Sequence, residues 1–226
     1  MRRASLLTLS LVWLTGGCAS LITVDKTEIK EGEGRILLQG GGGVDIVSER
    51  NTDPYTGESS TYSITTFTIE GGGGYSYGFS KMLAAGVDLP LGISFMNVEG
   101  ASFTAFQSMP RGYAKLVLGG ENARLALKGG LGLYMGTYNI SSLTGDTTVS
   151  STSFGAYPGF FAAIMLGFGS PERFTIALQS TPLMLWGAYH LNDKVSVWMG
   201  IMGYAWGGDG SSVSYLSLHG GVGYWF

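Results

Sequence analysis

From residue 35 onward the chain alternates apolar and polar positions with period two, the pattern of strands with one face toward an apolar surrounding and one toward a polar one. In a first strand over 35–47, Ile36, Leu38, Gly40, Gly42, Val44 and Ile46 share one face, and Arg35, Gln39 and Asp45 the other. A second strand over 61–80 sets Phe67, Ile69, Tyr75, Tyr77 and Phe79 against Thr66, Thr68, Glu70 and Ser76. The third sets Leu83, Val87, Leu89, Leu91, Ile93 and Phe95 against Asp88 and Ser94. A short fourth strand, 113–118, leads through the hairpin signal Gly119-Gly120-Glu121-Asn122 to a fifth, where Leu125, Leu127, Leu131, Leu133 and Met135 alternate with Lys128 and Tyr134. Strand six covers 154–168. Strands seven and eight, 173–181 and 183–191, part at Pro182; strand nine starts at Val195, and strand ten closes the chain.

Tight turns near 81, at 119–122 and at 169–172 alternate with the polar stretches 48–60, 97–112 and 139–152. The alternation predicts short turns at one end of a barrel and long external loops at the other. Fusing strands seven and eight would give nine strands and put the termini on opposite sides. Ten keeps both termini together and the count even; eight follows if one hairpin has been split too many. The expected fold is all-β, a closed antiparallel up-and-down transmembrane β-barrel of about ten strands.

Composition points the same way. Hydrophobic residues are 45% of the chain and charged residues 13%, against about 25% charged in an ordinary soluble domain. The 38 glycines would suit disorder, but 11 Phe, 12 Tyr and 5 Trp do not. Crossing a bilayer as a helix takes about 20 consecutive apolar residues; the best candidate, 154–168, is shorter and carries Pro158 and several glycines. A closed barrel is the other way to satisfy backbone groups in lipid.

The first 17 residues read as a secretory signal, with Arg2 and Arg3 before the apolar run 6–14. Leu14-Thr-Gly-Gly-Cys18 resembles the lipobox of bacterial lipoproteins, although Thr15 stands where that family prefers Leu. The resemblance implies acylation of Cys18, the only cysteine, and Ala19 after it fits sorting to the outer membrane. Residues 18–34 are polar and read as a lipid-anchored periplasmic tether, leaving 35–226 as the barrel. About 16 tether residues at up to ~3.3 Å each span the distance from the periplasm-facing leaflet to strand one.

The last strand places Leu216, Leu218, Val222, Tyr224 and Phe226 on one face, and His219, Gly221, Gly223 and Trp225 on the other. His219, Gly221, Tyr224 and Phe226 match the spacing of the assembly signal of bacterial outer-membrane β-barrels: a polar residue, Gly two later, hydrophobics at five and seven. The chain resembles small members of that superfamily over 35–226. The resemblance implies outer-membrane localisation, lipid contact and engagement of the barrel assembly machinery.

Without Arg2 and Arg3 the chain has 11 basic and 16 acidic residues, a net charge of −5, and no basic patch for nucleic acid. Omptin-type proteases and lipid A deacylases use His at the outer rim, whereas His190 and His219 both map toward the periplasmic half. No His-x-Ser pair of the deacylase type is present, and His219 is accounted for by the assembly signal, so no catalytic residues are assigned. Asp45, Glu70 and Asp88 are weak as a metal set and are expected to pair in the lumen with Arg35, Lys128, Arg173 or Lys194. The run 71–74 of four glycines lacks the Gly-Lys-[Ser/Thr] ending of a phosphate loop and is read as relief of crowding on a curved strand. No cofactor or metal is expected. Tyr134, Tyr157, Phe161, Trp198, Tyr204 and Trp206 point inward, implying a plugged or narrow lumen. The functional expectation is a structural or surface-interaction barrel acting through external loops on an unidentified extracellular ligand; the alternatives are a lipid A-modifying or other membrane enzyme, or a narrow small-solute channel.

Overall fold

The computed structural model describes residues 23–52, 55–98, 101–144, 147–180, 183–208 and 211–226. The signal features of 1–17 and Cys18 lie outside these residues. The described chain forms β1 (Gly34–Thr52), β2 (Ser59–Gly78), β3 (Leu83–Val98), β4 (Ala101–Ser108), β5 (Arg111–Gly119), β6 (Ala123–Thr144), β7 (Thr147–Phe168), β8 (Phe174–Ser180), β9 (Leu183–His190), β10 (Val195–Gly208) and β11 (Ser211–Trp225). Neighbours pair antiparallel, and β1 pairs with β11 as well as β2, so the sheet closes on itself. Both β4 and β5 lie between β3 and β6. They are two halves of one stave, and the barrel has ten.

The break in that stave has a local cause. Pro110 lacks an N–H, and so does Pro90 on β3 opposite. Continuity is carried across the gap by Met109 N–H to Pro90 O (3.4 Å) and Leu133 N–H to Pro110 O (3.0 Å).

Alternation follows the barrel wall. The side chains expected outward on β1, β2, β3 and β11 are the exposed apolar ones, Phe67, Ile69, Leu89 and Leu218 among them, while Asp45, Thr66, Thr68, Glu70, Asp88 and Ser94 are buried inside. A continuous belt of exposed Leu, Ile, Val and Phe around a closed barrel is a lipid-facing surface. No described helix is long and apolar enough to cross a membrane; the strands do it. The chain is a membrane-spanning β-barrel.

Three expectations about the loops are corrected. The stretch 97–112 is not a loop but contains β4, and the fourth strand is the interrupted pair β4–β5 rather than 113–118 alone. Stretches 48–60 and 139–152 are mostly strand, belonging to the β1–β2 and β6–β7 hairpins. Where a strand runs beyond the belt, both of its faces meet water. The apolar half of the alternation then disappears, although the backbone ladder continues.

The segment expected to be a tether enters the barrel. Thr23, Val24, Asp25, Lys26 and Thr27 are all buried, and Val24 belongs to the same core as Trp186, Trp198, Met165 and Tyr215. No strand pairing holds this segment. Side chains hold it instead, such as Gln39 Oε1 accepting from Val24 N–H at 2.9 Å.

Candidate functional site

Inward-facing positions from all around the wall build three polar clusters in the lumen. The first lies at the turn end. Glu172, in the turn between β7 and β8, accepts hydrogen bonds from Thr27 N–H (3.0 Å), the Thr27 hydroxyl (2.6 Å) and Glu28 N–H (2.8 Å), and from the Thr175 hydroxyl. Its burial would push the carboxyl up, but hydrogen bonds from His190, Thr175 and Thr27 outweigh this and hold it at about 2. His190 Nε2 lies 2.8 Å from Thr175 Oγ1 and 3.6 Å from Glu172 Oε1, while Nδ1 lies 2.6 Å from Ser196 Oγ. Trp225 Nε1 donates to the same Ser196 oxygen at 3.2 Å. Ser196, His190 and Glu172 thus have the makeup of a nucleophile relay, with all three side chains sealed from solvent. A substrate carbonyl has no approach in this arrangement. A search for His-x-Ser in sequence misses this pair, which the β9–β10 register sets side by side.

Above it, toward the opposite end, Asp25 Oδ1 lies 3.0 Å from Lys115 Nζ and Asp25 Oδ2 3.3 Å from Lys128 Nζ. Lys128 also donates to Asp88 Oδ2 at 2.8 Å, and Arg111 Nε to the same oxygen at 3.4 Å. Of the pairings expected between Asp45, Glu70 or Asp88 and Arg35, Lys128, Arg173 or Lys194, Asp88–Lys128 is present, with Arg111 and Asp25 added.

The third cluster is centred on His219. Nδ1 is 2.6 Å from Glu70 Oε1 and Nε2 is 3.1 Å from Asp45 Oδ1. Tyr215 donates to Asp45 Oδ1 at 2.7 Å and Thr68 to Asp45 Oδ2 at 3.3 Å. Asp45 and Glu70, expected to pair with Arg35, Lys128, Arg173 or Lys194, instead share the imidazole. Arg35 and Arg173 donate to the carbonyls of Glu28 and Leu191. His190 adjoins the turn end as expected, but His219 sits midway along β11. Register explains the contact: His219 faces Gly43 on β1, two residues before Asp45, and Glu70 on β2 pairs with Gly41. Among the described residues no three His, Cys, Asp or Glu side chains could jointly hold a metal ion.

Between clusters lies an apolar layer of Met109, Tyr113 and Phe161, with Tyr134 packed on it. The Arg111 guanidinium lies 4.3 Å from the Phe161 ring centre and Lys128 Nζ 3.7 Å from that of Tyr113, so the cations of the second cluster rest on aromatic faces. Phe161 and Trp198 are buried inward, as expected; Tyr134 and Tyr157 stack at 4.8 Å toward the far mouth. The side chains of Tyr204 and Trp206 lie outside the described residues.

The wall is lower on one flank. β8 and β9 have 7 and 8 residues, fewer than the about 9–11 a tilted strand needs to cross the hydrocarbon core. Their neighbours β7 and β10 have 22 and 14. β7 pairs with β8 only from Ala163 on, and β10 with β9 only as far as Ile201. Among the described residues, β7 before Ala163 and β10 beyond Ile201 have no ladder partner on this side, which leaves a notch above β8 and β9; Phe154 and Phe160 on β7 and Leu183 on β9 are exposed.

Gly72, Gly73 and Gly74 lie beside Leu38, Leu89 and Leu91 in a groove of about 880 Å³. A Cβ on Gly72 would stand 2.5 Å from Leu89 O, and Gly72 has φ +155°. The run permits close backbone approach at the two-proline kink. Of the assembly-signal positions, His219 points into the lumen, Gly221 lies at the β1–β11 seam, and Tyr224 and Phe226 meet edge to face at 4.8 Å on the outer surface.

No protein-family model matches the chain, and no curated protein matches it. Among solved structures it is similar to Ail, the attachment invasion locus protein of Yersinia pestis (15% identity over 87% of this chain and 100% of that one, TM-score 0.39). It is also similar to the translocator domain of the autotransporter NalP from Neisseria meningitidis (13%, 99% and 95%, TM-score 0.46) and to OprG from Pseudomonas aeruginosa (14%, 89% and 99%, TM-score 0.36). With TM-scores below 0.5, these likenesses add nothing to what the hydrogen-bonded closure establishes.

Proposed function

We propose that this barrel is closed to through-passage and acts at the cell surface, through the hairpins that carry β1–β2 and β6–β7 beyond the lipid belt. The observation that supports this most is the filled lumen: residues 23–27 and the Met109–Tyr113–Phe161 layer occupy it in succession. A structural or binding role leaves the interior free to be packed, whereas a solute pathway does not. The protein is a non-enzyme in this reading, Ser196 and His190 serving to hold the turn end together. Liposome swelling tests it: solute entry should equal that of protein-free liposomes, and faster entry overturns the reading. Lipid A mass spectra with and without expression should be identical; a changed species would establish an enzyme.

One observation, the notch above β8 and β9, favours a second reading in which small apolar molecules pass between the outer vestibule and the bilayer. Saturable binding of an apolar fluorophore, lost in Tyr157→Ala, would favour it; no saturable binding removes it. Acylation of Cys18 and recognition of His219, Gly221, Tyr224 and Phe226 by the assembly machinery belong to the same proposal. Metabolic palmitate labelling of wild type against Cys18→Ser tests the first, and equal labelling removes it.

A further inference from the structure

Five charged side chains meet in the lumen around the Tyr113 and Phe161 rings, and they differ in origin. Arg111 and Lys115 stand on β5, Lys128 on β6 and Asp88 on β3, all fixed by the strand ladder. Asp25 alone comes from outside the wall. The wall by itself therefore encloses three cations and one carboxylate, each almost fully buried. A buried charge left uncompensated is strongly destabilising, so the wall requires an anion at the place Asp25 occupies.

The geometry at that place is specific. The two oxygens of one carboxylate each meet a different ammonium, at 3.0 and 3.3 Å. Arg111 spends Nε on Asp88 and Nη2 on Thr23 Oγ1 (3.0 Å), while Nη1 is buried with no hydrogen-bond partner among the described residues. The cage thus keeps donor capacity that Asp25 and Asp88 do not use. The segment bearing Asp25 is docked rather than built in: the amides of Val24, Thr27 and Glu28 go to Gln39 and Glu172 side chains, that of Lys26 goes to Asp25 Oδ1 (2.8 Å), and Lys26 Nζ reaches the Asn192 and Asp193 carbonyls at 3.4 and 3.1 Å.

We propose that Arg111, Lys115 and Lys128 form an internal binding site for a small carboxylate, of which Asp25 is the tethered occupant. A free carboxylate takes the site when the Asp25 side chain is absent or withdrawn. Tyr113 and Phe161, against which Lys128 and Arg111 rest, offer an apolar side for the carbon end of such an anion.

The test uses full-length protein in detergent, with thermal midpoints followed by heat-dependent gel mobility. Asp25→Ala should unfold at lower temperature than wild type. Sodium formate or acetate, titrated against sodium chloride at constant ionic strength, should raise its midpoint with the logarithm of concentration, as mass action requires of a ligand bound only by the folded state. Wild type, its site filled, should not respond. Asp25→Ala combined with Lys115→Met should lose the response. Equal responses in wild type and Asp25→Ala, no response in Asp25→Ala, or a response surviving Lys115→Met overturns the proposal. If Asp25→Ala fails to fold, its refolding yield with and without formate gives the same decision, and the shape-conserving Asp25→Asn repeats the titration.

Discussion

Gly221 sits where the barrel closes, and replacing it with alanine probes whether that closure depends on backbone contact. It lies opposite Gly41 across the β1–β11 seam. A Cβ on Gly221 would stand 2.2 Å from Gly40 O and 2.7 Å from the Gly41 Cα, about 1.2 Å inside the 3.4 Å where ordinary contact begins. Both obstructing atoms are backbone, so no rotamer change relieves the clash, and β1 itself must move. Overpacking of this kind costs roughly 1–3 kcal/mol, and each ladder bond stretched by the shift adds about 1 kcal/mol; the expected loss is about 2–4 kcal/mol. Gly112→Ala is the control, because a Cβ there meets nothing within 4 Å and should change stability by no more than about 0.5 kcal/mol. The assay is refolding from urea into detergent micelles without assembly factors, the folded fraction read from gel mobility. If Gly221→Ala refolds with the wild-type urea midpoint, the seam does not need glycine there. A defect confined to assembly in cells would then assign Gly221 to recognition alone.

His219→Ala should leave Asp45 and Glu70 buried without their shared partner and cost roughly 3–5 kcal/mol; adding Asp45→Asn and Glu70→Gln should restore part of the urea midpoint. Glu172 is held near 2, below its ordinary 4.5, so its contribution is full above about pH 4.5 and disappears as pH falls toward 2. That contribution is on the order of 3 kcal/mol, and a urea-midpoint series over this range should be flatter in Glu172→Gln. Leu131→Lys, on the outer face and 72% exposed, should cost roughly 2–4 kcal/mol in bilayers if it meets hydrocarbon. Ser214→Lys, on β11 beyond the last outward leucine, should cost little; equal losses would contradict the placement of the belt.

The period of two was legible because two solvents meet at the wall. Leu216, Leu218, Val222 and Tyr224 face lipid while Ser217, His219 and Trp225 face a packed interior, and parity of termini then gave ten staves. β4 was not legible, because only Phe106 of its outward Ser102, Thr104 and Phe106 is apolar; its pairing with β3 and β6 reveals it as strand. The lumen partners were half legible. Once β1 is known to close on β11, register alone brings His219 near Asp45, whereas Lys115 and Glu172 meet the first described residues across 90 and 145 positions of sequence, where no local pattern reaches.

That gap hid the largest departure from expectation. Read as polar sequence, the residues before β1 have no core to join, and the charged positions of the wall read as lining for a wet lumen. Counted together, they are complementary. The His219 cluster is complete within the wall, one imidazole between two carboxylates. The cluster around Tyr113 and Phe161 is not, since Arg111, Lys115 and Lys128 have Asp88 as their one wall carboxylate until Asp25 joins them. At the turn end, Glu172 likewise has unfilled acceptor capacity until the Thr27 and Glu28 amides arrive. A wall that is short of one anion in its middle and three donors at its end is matched to a segment supplying both at the right spacing, Asp25 two residues before Thr27. Residues 23–27 therefore share the buried interior of the barrel, docked there by side-chain contacts rather than by strand pairing.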